Sequence, residues 1–263
     1  MIKERNASGK PLADEQWLEN HHIAKLPERK AFIQNLLEKH PNPETVVDLG
    51  CATGLWMDLL NDSLPESCEI IGIDSDGDSL DIAKKRSEKW SRTISFREMD
   101  LNTSSKDIPS ADITLAFNIF SYIDDLDLLL DNLASRENKG ILAVREYDGA
   151  SIRFGPMSTN NRQRIERDLY ISTGRSEFFK HYDMDRAFSS LRNCKYDNKE
   201  FGFELFERTT PFPKQFIPYY EEMLGWTCDH ISERNSTYLH NWMSDESIYN
   251  RYFYEVDLVA ILS

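Results

Sequence analysis

The chain has 263 residues, a formal charge of −14, 40% hydrophobic and 11% aromatic residues. That length suits one α/β domain with insertions, and the composition excludes an intrinsically disordered chain. An acidic surface repels phosphate backbones, so nucleic acid is not expected as a partner.

Cys51, Cys68, Cys194 and Cys228 are widely scattered and form no C-x-x-C pair. Neither a metal site nor a disulfide framework is expected. The N-terminus lacks an apolar leader region, and no apolar run approaches ~18 residues. The expectation is a cytoplasmic protein with reduced thiols and no membrane partner.

Residues 1–12 are polar and predict a frayed end. From Asp14 to His40 the pattern is helical with a break at Pro27. Phe32, Ile33, Leu36 and Leu37 share one face of the second piece. Pro41-Asn42-Pro43 stops it, and the first strand begins near Thr45. Val46-Val47 reads as a buried parallel strand. Asp48-Leu49-Gly50-Cys51-Ala52-Thr53-Gly54 follows, and a helix starts at Leu55. A strand–tight turn–helix unit of this kind holds a ligand at the strand's carboxyl end, beside the helix N-terminus. A dinucleotide site wants G-x-G-x-x-G. Counted from Gly50, its later glycines fall on Ala52 and Leu55, so that pattern fails.

The second strand is Glu69–Asp74, followed by a helix with Leu80, Ala83, Ser87 and Trp90 in register. The third is Ile94–Asp100 and the fourth Asp112–Phe117. Ile119, Ile123, Leu126, Leu130 and Leu133 mark a helical stripe, and Gly140–Val144 is the fifth strand. This strict alternation predicts βαβ units and a parallel sheet. After Tyr147 the pattern changes. Residues 160–193 read as helical, 199–207 as a strand, and two helices reach about Asp245 before a long closing strand, Tyr252–Leu262.

The run Asp48 to Gly54 resembles motif I of class I S-adenosylmethionine (AdoMet) dependent methyltransferases, with its acid-x-Gly-x-x-x-Gly pattern. The resemblance implies a doubly wound, mostly parallel seven-stranded sheet. Its last strand is antiparallel, and a helical cap is added to this Rossmann-like core. It implies AdoMet as cofactor and S-adenosylhomocysteine (AdoHcy) as product. Asp48, Gly50, Cys51, Ala52 and Gly54 then form the turn around the methionine half. Asp74 ends the second strand 24 residues after Gly50, with Ser75 next. A carboxylate there can accept both ribose hydroxyls. Asp100 in the same family takes a proton from the adenine amine, and the Leu101 N–H meets a ring nitrogen; a helix N-cap is the other reading of Asp100. Asn118 faces the methyl-donor end. The residues after it, Ile119-Phe120-Ser121-Tyr122, lack the prolines of an N-P-P-Y motif. That argues against nucleic-acid adenine or glutamine substrates. Pro27, Arg29, Phe32 and Ile33 are similar to the P-x-R-x-x-aromatic-I helix of ubiquinone-type O-methyltransferases, whose arginine faces the cofactor carboxylate. A solvated helix arginine is the alternative.

The expected activity is transfer of a methyl group to oxygen or nitrogen of a small-molecule acceptor by in-line displacement. Positioning supplies much of such catalysis, and histidine is the usual base near neutral pH. His22, Tyr147 and His181 are the candidates for contacting the acceptor, under a cap built from the N-terminal helices and region 150–245. The domain plan is one methyltransferase domain: residues 1–43 cap, 44–148 cofactor core, 149–250 variable substrate region, 251–263 closing strand. A homodimer is compatible with it. The alternatives are a protein carboxyl or side-chain methyltransferase, and a methyltransferase-like binding protein without chemistry. An NAD-dependent oxidoreductase is weakened by Ala52 and Leu55.

Overall fold

A computed structural model describes residues 2–3, 12–147, 151–175 and 184–263. After a short ladder pairing Ile2–Lys3 with Leu12–Ala13 come helices α1 (Glu15–Ala24) and α2 (Leu26–Lys39). The helix break falls at Lys25, and Pro27 sits in the first turn of α2, where its missing N–H costs nothing. Phe32, Ile33 and Leu36 of α2 are buried against the sheet.

The sheet begins with β1 (Thr45–Leu49), β2 (Glu69–Asp74), β3 (Ile94–Glu98), β4 (Ile113–Phe117) and β5 (Ile141–Tyr147). Helices α3 (Leu55–Ser63), α4 (Gly77–Ser87), α5 (Leu101–Ser104) and α6 (Leu126–Ala134) connect them. β6 (Arg153–Gly155), α7 (Thr159–Arg175), α8 (Met184–Asn193) and β7 (Lys199–Thr209) follow. The last elements are α9 (Ile217–Asp229), α10 (Glu233–Ser244) and β8 (Tyr252–Leu262). β1 to β5 are parallel, and β8 runs antiparallel to β5. Val46, Val47 and Leu49 of β1 are fully buried, as a strand covered on both faces requires.

Eight strands replace the expected seven. β8 pairs along one edge with β7 over its whole length. Along its other edge it pairs first with β6 and then with β5. A strand has only two edges, so β5 and β6 lie end to end on the same edge. The extra strand therefore adds length to the fifth position, not width to the sheet. A three-residue strand has too little alternation to show in a sequence.

A second departure concerns the stripe from Ile119. Helix α6 starts only at Leu126, after the Asp125 side chain caps its N-terminus by accepting from Leu128 N. Ile119 and Ile123 flank a single 3₁₀ turn, Phe120–Tyr122. The left-handed backbone of Asn118 (φ 55°) breaks the helical path before it can form.

β1 lies between β2 and β4. The chain winds outward in both directions from that point, and in open α/β sheets the crevice at such a switch point takes the ligand.

Candidate active site

A cavity opens at the carboxyl ends of the parallel strands. Gly50 to Thr53, Asp74, Ser75, Met99 to Asn102 and Phe117 to Ile119 line it from β1, β2, β3 and β4. Trp17, Leu18 and His21 of α1, Arg29 of α2, Tyr147 of β5 and Tyr219, Met223 and Trp226 of α9 close it from the other side.

The turn after β1 is built by its glycines and by Asp74. Gly50 has φ +67°, and a Cβ on it would lie 2.3 Å from Ile119 Cγ2. Gly54 caps α3 at φ +79°. Gly50 N and Cys51 N donate to Ile73 O at 2.7 and 3.0 Å, which folds the turn back over β2. Ala52 is held in the left-handed region (φ 46°), where a non-glycine residue is strained. Asp74 stabilises it: Ala52 N donates to Asp74 Oδ2 at 2.8 Å, and Asp76 N donates to Oδ1 at 2.9 Å. Burial pushes the Asp74 carboxyl above its usual value despite these donors. Asp48 lies beneath the turn and does not line the cavity. Its Oδ2 is buried without a partner, and burial, with Asp74 adding to it, pushes its carboxyl up to about 8.

The second non-glycine residue with positive φ, Asn118, closes β4. Its N–H donates to Arg145 O at 2.8 Å. The next two amides, Ile119 N and Phe120 N, donate to Glu146 Oε1 at 2.9 and 3.0 Å. Glu146 is fully buried, and burial pushes its carboxyl up to about 8 even with both amides opposing the shift. In the sequence, the pair Arg145-Glu146 directly after the apolar run Ile141-Leu142-Ala143-Val144 is the signal that marks Glu146.

Asp100 caps α5 through Asn102 N at 3.0 Å and also lines the cavity. Arg29 is buried, yet lines the cavity with its guanidinium 4.6 Å over the Trp56 ring. Among the described residues no carboxylate forms a salt bridge with it. Burial, then the neighbouring Arg145, lowers its pKa to about 10, so it stays a cation at neutral pH. His22 does not line the cavity. Its Nδ1 lies 2.7 Å from Arg29 Nη1. A guanidinium can only donate, so Nδ1 accepts and the ring proton sits on Nε2. Burial and Arg29 push its pKa down to about 3, which keeps it neutral. Its neighbour His21 takes the place at the cavity wall. Tyr147 lines the cavity, and His181 lies outside the described residues.

Behind the α1/α9 side lies a buried ionic group. Lys25 pairs with Glu255 and Asp257, and Arg145 donates to Asp257 Oδ2 at 2.7 Å and Glu204 Oε2 at 2.6 Å. Tyr219 donates to Glu255 Oε2 at 2.7 Å. Burial raises the Glu255 carboxyl. Burial works the same way on Asp257, but Lys25 and Arg145 outweigh it and hold that carboxyl below its usual range. The group ties the α1–α2 joint, β5, β8 and α9 together at the cavity's edge. Among the described residues, none of β6, α7 or α8 lines the cavity. Region 150–245 was expected to share in the cap, and of its described residues only those of α9 line the cavity.

A family model described as a methyltransferase domain matches residues 46–140, the span from β1 to the start of β5. Residues 46–140 form a methyltransferase domain. AdoMet is the methyl donor of such domains, and this one is an enzyme's. Solved structures share the fold. The YcgJ protein of Bacillus subtilis is similar at a TM-score of 0.52 and 10% identity, over 88% of this chain and 97% of that one. The plantazolicin methyltransferase BpumL, solved with a monoazolic desmethylPZN analog and AdoHcy, aligns at a TM-score of 0.49 and 14% identity, over 94% of this chain and 89% of that one. No curated protein matches the methyltransferase chain. Among the described residues no helix is long and apolar enough to cross a membrane, and no group of three or more His, Cys, Asp or Glu could hold a metal ion.

Proposed function

We propose that this methyltransferase acts on oxygen or nitrogen of a small-molecule acceptor, and that residues 1–263 work as one domain. The observation that carries the reading is the shape of the cavity. The β1–β4 strand ends form one wall. The opposite wall, from α1 and α9, carries the rings of Trp17, His21, Tyr219 and Trp226. A cavity lined from two sides suits a small acceptor better than a side chain presented on a protein surface. The acidic net charge speaks against a nucleic-acid acceptor.

On the cofactor side, Gly50, Cys51 and Ala52 present backbone to the methionine half. The Gly50 and Gly54 conformations leave no room for the side chains that would block it. Arg29, cationic and without a carboxylate partner among the described residues, holds the cofactor's carboxylate, and His22 fixes the guanidinium. Asp74 receives the ribose hydroxyls and Ser75 lies beside it. Asp100 and the Leu101 N–H meet the adenine. Asn118 faces the donor end. Asp48 supports the turn from below. Bound AdoMet supplies a methyl group already activated by its sulfonium. The chain's own contribution is to align the acceptor, exclude water and receive a proton. Tyr147 lies on the acceptor side, and His181 is retained as a candidate there. The four cysteines are free and buried, which supports a cytoplasmic setting.

Incubation with methyl-tritiated AdoMet and a size-fractionated cell extract tests this reading. Label in the low-mass fraction is the expected result. Label confined to protein would favour a protein methyltransferase, and label in neither fraction a non-catalytic binding protein.

A further inference from the structure

β7 is an edge strand of the sheet, and its outer edge pairs with no strand among the described residues. Its eleven residues include no proline. They pair with β8 in one unbroken register, from Lys199 opposite Leu262 to Thr209 opposite Tyr252. An edge with neither bulge nor proline presents a regular row of N–H and C=O groups to a further strand. Charged side chains are the usual guard of such an edge. Here Glu200, Glu204 and Arg208 are engaged within the chain instead. Glu200 pairs with Lys39, Glu204 accepts from Arg145 at 2.6 Å, and Arg208 donates to Glu28 at 2.8 Å.

Side chains alternate between the two faces of a strand, so the opposite face carries Lys199, Phe201, Phe203, Leu205 and Glu207. Phe201 and Phe203 lie against Phe188 of α8, with ring centroids 5.1 and 6.2 Å away. Even so, Phe203 is 59% exposed and Leu205 54%. Two large apolar side chains on one face are thus left in water beside an unpaired backbone edge. No residue of β7 lines the cavity, so this surface is separate from the methyl-transfer site.

The order of side chains on that face is its own complement: cation, ring, ring, aliphatic, anion. Consider two antiparallel copies related by a two-fold axis through Phe203 and perpendicular to the sheet. Phe203 meets the partner's Phe203, Phe201 meets the partner's Leu205, and Lys199 meets the partner's Glu207. Opposite charges close both ends of an apolar centre, and pairs of these kinds stabilise adjacent strands. Neighbouring registers lack this match. An axis at Glu204 sets two carboxylates directly against each other, and one at Gly202 sets Glu200 against the partner's Glu204. An axis at Leu205 sets Phe203 against the partner's Glu207 and leaves Lys199 beyond the strand's end. Lys199 already donates to Arg192 O at 2.7 Å. An ammonium carries further donors for a carboxylate.

We propose that β7 pairs with β7 of a second copy of this chain, antiparallel and in register about Phe203, so that two sheets join into one. The contact is isologous and closes at two copies.

Sedimentation velocity of the full chain over a range of concentrations tests this. The parent is expected to dimerise. Phe203→Glu, which brings two carboxylates together at the axis, should raise the dimer dissociation constant roughly thirtyfold or more, as for a residue at the centre of an interface. Lys199→Glu and Glu207→Lys place like charges at both ends and should each weaken the dimer by about tenfold. An equimolar mixture of those two variants should regain the parent's affinity, since each supplies the charges that the other lacks. That recovery also shows that both variants fold, so the mixture serves if Phe203→Glu does not. A parent that stays monomeric overturns the proposal and leaves this edge to a strand of another protein. A dimer that survives a folded Phe203→Glu overturns it as well. So does a mixture that dimerises no better than its components.

Discussion

The two walls of the cavity are held by different physics. On the β1–β4 side the work is done by backbone. Gly50, Ala52 and Asn118 adopt left-handed conformations at strand ends, and single carboxylates, Asp74 and Glu146, each accept two amides to keep those turns in place. On the α1/α9 side the work is done by side chains. Lys25, Glu255, Asp257, Arg145 and Tyr219 form a buried network between elements far apart in sequence. A backbone site tolerates change in the side chains around it as long as the turn survives. A buried ionic network fails when one member is lost, because the remaining charges stay buried without compensation.

The largest expected effect follows from that asymmetry. Lys25→Met leaves Glu255 buried without its cation and Asp257 with Arg145 alone, and should cost about 3–5 kcal/mol in chemical denaturation. Adding Glu255→Gln should recover part of the loss. A stable single variant would remove the network from the account of the α1/α9 wall. Glu146→Ala comes next. It leaves the Ile119 and Phe120 amides buried without an acceptor, at roughly 1–3 kcal/mol each. Glu146→Gln keeps one acceptor oxygen and should retain most of the stability. Similar urea midpoints for the Ala and Gln variants would mean that Glu146 does not hold the β4 turn.

Asp74→Ala acts on ligand as well as turn. Loss of a charged acceptor is worth about 1.5–3 kcal/mol, so AdoHcy should bind roughly ten- to a hundredfold more weakly. Unchanged affinity in a titration would take Asp74 out of the site. The smallest effect belongs to His22, which reaches the ligand only through Arg29. His22→Ala should weaken AdoHcy by about three- to tenfold, near 0.5–1.5 kcal/mol. Methylthioadenosine, which lacks the carboxylate, should be unaffected. His22→Gln offers Arg29 another acceptor and should restore AdoHcy. Equal losses for both ligands would show that His22 acts by packing alone.

The backbone wall was the legible one. Its signals are local: Asp48-x-Gly50-x-x-x-Gly54 sits within seven residues, Asp74 ends an apolar run and Asp100 ends an alternating one. Lys25, Arg145, Glu255 and Asp257 come from three separate segments, and only the antiparallel docking of β8 against β5 brings Asp257 opposite Tyr147 and Val259 opposite Arg145. Nothing local marks such a partnership. The choice between His21 and His22 was obscured for a related reason. Adjacent residues on a helix point about 100° apart, and which one faces the cavity depends on how α1 packs against α9. The aromatic run near Tyr219 was visible, but its place over the cavity depended on the same packing. Ile119 and Ile123 fit a helical stripe by spacing, yet the Asn118 conformation and the Asp125 cap, both set by contacts around them, delay the helix to Leu126.

The central claim is that the turn after β1, with Asp74 and Arg29, is an AdoMet site. Calorimetric titration of the purified protein with AdoHcy, methylthioadenosine and NAD tests it most directly. AdoHcy should bind with a Kd in the micromolar range, about −7 to −8 kcal/mol. Methylthioadenosine should bind more weakly by roughly tenfold, because Arg29 loses its carboxylate. NAD should give no heat. No binding of AdoHcy, or NAD bound more tightly than AdoHcy, would contradict the claim.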